Sequence, residues 1–111
     1  MNITEKNEGR IKLNSQLAEA DDFFKIFGQL DDKVYTDAAI PKKYKELTGL
    51  SISVLSRCNE CILYHMQECI KQKANKSEII DAIKIGVIGG GSITFPNARY
   101  AMEIIHELNI Q

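Results

Sequence analysis

A chain of 111 residues, 44% apolar and 26% charged, has the make-up of an ordinary folded domain and the length for one modest core. Fourteen basic against fifteen acidic residues leave a net charge of -1, so nothing electrostatic points to nucleic acid or an anionic membrane as partner. The polar start lacks an apolar signal core, no apolar run reaches the ~20 residues of a membrane helix, and three cysteines are an odd number for a disulfide scaffold. The expectation is a cytoplasmic protein whose thiols are reduced or cycling.

One domain is expected over residues 1–111, with residues 1–12 as a loose, aperiodic N-terminal arm. From Asn14 a helical period begins, with Leu17, Ala20, Phe24, Phe27 and Leu30 in one stripe and Phe23 and Ile26 widening it. Asn14 or Ser15 is the expected cap, and the phenylalanines read as core or subunit interface. After a connector at 33–40, Pro41 suits the first turn of a second helix carrying Tyr44, Leu47, Leu50, Val54 and Leu55. Glu46 falls early in it. Gly49 in its interior is either a local weakness or a place where another backbone comes close.

A third helix is expected from about Cys58, with Ile62, Met66 and Ile70 on one stripe beside Cys58, Cys61, His65 and Cys69. Ser77 is the expected cap of a fourth helix, apolar around most of its circumference and hence buried between helices or subunits. Gly89–Gly91 stops it, and a last helix runs from about Phe95 to Leu108. No period-two segment occurs. The fold class is all-α.

Chemistry concentrates between Glu46 and His65. Cys58 and Cys61 sit at CxxC spacing, and His65 follows Cys61 by four residues, one helical turn. Only the thiolate form of cysteine is reactive, and a helix N-terminus or a neighbouring imidazole favours it. Glu46, within reach of His65, would hold the imidazole in one tautomer. Peroxide on such a thiolate gives a sulfenic acid, which the second thiol condenses to a disulfide. Straight antiparallel helices leave Glu46 and His65 out of step by about 8 Å, so a bridging water is the expected link; crossed helices, a bend before Arg57 or a Glu46 from another subunit would also serve.

Other readings carry less. Four zinc ligands on one helical face, Cys58, Cys61, His65 and Cys69, cannot converge on a tetrahedron, so no metal is expected. Cys69 alone reads as a small core residue, and His106 as a surface histidine. The glycine run lacks a P-loop lysine.

The spacing Glu46, Cys58, Cys61, His65 resembles the active-site signature of AhpD-like proteins in the carboxymuconolactone decarboxylase superfamily. The likeness continues through S-E-I-I-D-A-I-K-I-G-V-I-G-G-G-S-I-T-F-P-N-A-R-Y-A-M-E-I-I, so that it covers about Pro41 to Leu108. It implies an all-helical bundle of about five to six helices that forms trimers or hexamers. It also implies a peroxide-reactive thiol at Cys61, a resolving thiol at Cys58, and a proton relay of Glu46 and His65. The substrate would be a hydroperoxide and the partner a dithiol protein or small thiol, with no cofactor. Glu60 stands where the characterised alkylhydroperoxidases carry a histidine, and a carboxylate there disfavours a thiolate. The decarboxylase branch lacks the cysteine pair, so decarboxylation is not expected. The alternatives are a non-enzymatic redox sensor or adaptor forming a Cys58–Cys61 disulfide, and a structural oligomer with an inert pair.

Overall fold

The structure, a computed structural model, describes residues 1–111 and is helical throughout, with six α-helices and no strand. The chain divides into two compact units, Met1–Thr36 and Asp37–Gln111. No helix is long and apolar enough to cross a membrane.

The first unit is a pair of helices, α1 (Ile3–Ala20) and α2 (Asp22–Val34). This corrects two expectations. Residues 3–12 are helical rather than a loose arm, because E-K-N-E-G-R-I-K is rich in helix-forming residues even though it carries no apolar stripe. The helix expected from Asn14 through Leu30 is in fact two, and the cap of the first is Asn2, whose Oδ1 accepts from Glu5 N–H at 3.0 Å. Asp21 makes the break: it is extended (φ -161°), and its carboxylate accepts from Phe23 N–H at 2.8 Å, so it caps α2 instead of continuing α1. Neither helix buries a residue. Phe23, Phe24 and Phe27 are exposed and contact one another, so they form no core within the chain.

The second unit holds α3 (Lys42–Leu55), α4 (Asn59–Lys71), α5 (Lys76–Gly90), a 3-10 turn at Ser92–Thr94 and α6 (Phe95–Glu107). Helix α3 is central, packing on α4 and α5, and α6 closes against both. Leu50, Val54, Ile62, Met66, Ile79, Ile104 and Ile105 form the sealed core. Gly86 of α5 lets the backbones approach: a Cβ there would lie 2.6 Å from the Ser51 carbonyl oxygen. The Ser51 hydroxyl donates to the Ala82 carbonyl at 2.8 Å across the same seam. Helix α5 starts two residues earlier than Ser77 would place it, because Asn75 and Glu78 form a reciprocal capping box. Within the chain it buries Ile79 and Ile83, while Ile85 and Ile88 face out.

Candidate active site

Three short features bring the predicted residues together. Pro41 precedes α3, and Asp37 Oδ1 accepts from Lys42 N–H at 2.7 Å, which fixes where α3 begins and places Glu46 one turn inside it. The link from α3 to α4 is short: Arg57 adopts φ 57° and Cys58 N–H bonds back to the Ser53 carbonyl at 3.0 Å. Cys58 is then the N-cap of α4, its sulfur accepting from Cys61 N–H at 3.3 Å. The first turn of α4 is held from outside, where Asn97 of α6, itself buried, donates to Asn59 Oδ1 at 2.8 Å.

Glu46 is 1% exposed, the most buried charged side chain in the protein. Its Oε1 lies 2.9 Å from His65 Nδ1, and its Oε2 lies 2.6 Å from Lys42 Nζ. The water expected between Glu46 and His65 is therefore not needed, and Glu46 reaches His65 within one chain. Measured to the helix ends, Glu46 stands nine residues before Leu55 and His65 six after Asn59. That is about 14 Å against about 9 Å of rise, a difference two long side chains can span. A carboxylate can only accept, so Nδ1 carries the proton toward Glu46 and Nε2 is the basic nitrogen. The His65 ring also lies edge-on to Tyr64, with centroids 5.2 Å apart.

Cys58 and Cys61 are joined as a disulfide with Cα atoms 5.3 Å apart. Cys61 is exposed and Cys58 only half so. Cys61 lies one turn before His65 on α4, the spacing at which helical side chains are neighbours. Glu60 points to solvent beside the pair, and His106 is exposed on α6, away from the buried core. Cys69 is a free, fully buried thiol. Burial, reinforced by the charges of Glu46, Glu68 and Glu78, pushes its pKa up to about 12.

Of the residues around the site, Lys42 was missed in the sequence and Gly49 was recognised only in part. Lys42 was legible as a lysine four residues before a glutamate on a helix, a pairing worth checking wherever it occurs. Gly49 is a place of close approach, but by a side chain rather than a backbone: a Cβ on it would lie 2.6 Å from His65 Nδ1. The ring occupies the room that the missing side chain leaves.

Comparison with known proteins bears on the family and the fold. A carboxymuconolactone decarboxylase family protein from Thermotoga maritima is 36% identical, with 95% of this chain and 90% of that one aligned at a TM-score of 0.90. A Legionella pneumophila protein of the same family shares the fold at 24% identity over 95% of each chain, with a TM-score of 0.85. Among curated relatives, an uncharacterized protein of the Paracoccus denitrificans cox locus is 23% identical over 83% of this chain and 80% of its own length. An uncharacterized protein of Cupriavidus necator is 26% identical over 62% of this chain, and the match spans only 58% of that relative. The sequence model of the carboxymuconolactone decarboxylase family matches residues 21–107. Since that match runs from α2 to the end of α6, the chain belongs to the carboxymuconolactone decarboxylase family.

Proposed function

We propose that the protein is a thiol-dependent peroxidase that reduces hydroperoxides with the Cys58–Cys61 pair and is recycled by a dithiol. The observation that carries this reading is the direct Glu46–His65 hydrogen bond, which gives the imidazole one helical turn after Cys61 a fixed tautomer with Nε2 as its basic nitrogen. In the reduced protein His65 takes the Cys61 proton. The thiolate attacks the terminal oxygen of the hydroperoxide, the O–O bond breaks, and the alcohol leaves with a proton while Cys61 becomes a sulfenic acid. Cys58 then attacks that sulfur, water departs, and the disulfide forms.

The return half-reaction follows from exposure and capping. A dithiol reductant meets the exposed Cys61 sulfur first, and Cys58 leaves as a thiolate. That leaving group is stabilised by the Cys61 N–H at 3.3 Å and by the positive end of α4. The reductant's second thiol displaces Cys61 and carries the disulfide away. The similar Thermotoga maritima protein is described as a candidate participant in the antioxidative response, which is in keeping with this chemistry.

Replacing Cys61 with Ser is expected to abolish dithiol-driven hydroperoxide consumption while circular dichroism stays that of the wild type. Retained turnover in that variant would sink the proposal. A wild-type protein that oxidises once with peroxide and never turns over would make the pair a sensor instead.

A further inference from the structure

Glu46 is a buried carboxylate with two cationic or protonatable partners, one on each oxygen. Oε1 meets the imidazole of His65 from α4, and Oε2 meets the ammonium of Lys42 from the preceding turn of α3. The charged groups around that ammonium come from every neighbouring segment: Glu46 on α3, Glu68 on α4, and Asp37 from the segment before α3. Glu78 of α5 is engaged elsewhere, 2.9 Å from Lys43. Burial works against the charge on Lys42, but the hydrogen bond it donates to Glu46 and the nearby carboxylates outweigh that and raise its pKa. Lys42 is a fixed positive charge.

A buried carboxylate lacking that charge would have the imidazole as its only partner, and the pair would take up a proton to neutralise itself. An imidazole that already carries a second proton has no nitrogen left to accept one from a thiol. We propose that Lys42 is a positioning residue: its ammonium balances Glu46, so that His65 can orient through Nδ1–H and still be neutral when Cys61 gives up its proton. This rests on the peroxidase reading above and extends it by one residue.

The test is a proton-NMR titration of the His65 ring in the reduced protein, read beside the pH profile of dithiol-driven turnover. Lys42→Gln and Lys42→Met both remove the charge, and Lys42→Gln keeps a hydrogen-bond donor. In either, the Glu46–His65 pair is expected to take up its proton about one pH unit higher than in the wild type, and turnover on the acid side of the profile to fall about tenfold. On the alkaline side turnover should stay within about twofold, a smaller difference than the shift itself produces. Lys42→Arg, which keeps the charge, should restore both. An unmoved titration in a folded neutral variant, or a loss equal at every pH, would overturn the role of Lys42. The titration needs no turnover: a moved midpoint in a protein whose activity survives Cys61→Ser supports the charge balance and overturns the peroxidase reading instead.

Discussion

Glu46 and His65 stand nineteen residues apart in the chain and meet at 2.9 Å, carboxylate oxygen to imidazole nitrogen. The contact joins α3 to α4, the helix whose N-cap and first turn carry the disulfide, and the carboxylate end of it is sealed from water. In the proposed mechanism a proton accepted by this imidazole is matched by the Glu46 carboxylate already in place. Positioned acid–base groups of this kind contribute about a hundredfold or more to rate.

Glu46→Gln keeps the shape and one acceptor oxygen but removes the charge. Turnover with hydroperoxide and dithiol is expected to fall about a hundredfold, with helical content preserved. Steady-state kinetics on the variant would check this, and a loss of less than about threefold, well below the usual range of such catalysis, would remove Glu46 from the mechanism.

Gly49→Ala tests the room left for the ring. In a helix interior this change ordinarily stabilises by about 1 kcal/mol. Here the added carbon would lie 2.6 Å from His65 Nδ1 and Cε1, on a ring that cannot withdraw without loosening its bond to Glu46. Overpacking should win, destabilising by about 1–3 kcal/mol and lowering turnover as well. Urea unfolding decides: a midpoint higher than the wild type would mean the ring has space to spare.

Cys69 gives a pH-dependent signature. Its folded pKa is pushed up to about 12 from an ordinary value of 9.0, first by burial and then by the charges of Glu46, Glu68 and Glu78. A group held protonated in the folded state has no pH-dependent effect on stability below 9.0. Above it the unfolded thiol ionises while the folded one does not, and stability falls as pH rises toward 12. The expected slope is at most about 1.4 kcal/mol per pH unit, and Cys69→Ala should remove it. Denaturant melts of the reduced protein between pH 8.5 and 10.5 (about two units spanning the free-thiol pKa) would show it. A thiol reagent at neutral pH should label Cys58 and Cys61 in the folded reduced protein and reach Cys69 only after denaturation.

What could be read without coordinates was local. The all-α class follows from apolar residues repeating every three or four positions, and the chain turns where Pro41 and Gly91 flank helices. The start of α4 at the CxxC was legible: a helix was expected from about Cys58, and Cys58 caps one that begins at Asn59. Local chemistry also explains two misreadings, since Asp21 and Asn75 are capping residues whose signal was present but outweighed by the apolar stripe and by Ser77.

Tertiary structure decided the rest. That Glu46 touches His65 without a water depends on how much rise the link at residues 56–58 consumes, and no side-chain pattern reports that length. That Lys42 takes the other oxygen depends on Glu46 being buried, which only the packing of α4 and α5 against α3 brings about. Periodicity and capping act within a turn or two of helix and are written in neighbouring residues; the desolvation that gives a lone carboxylate its leverage arises only when distant helices close over it.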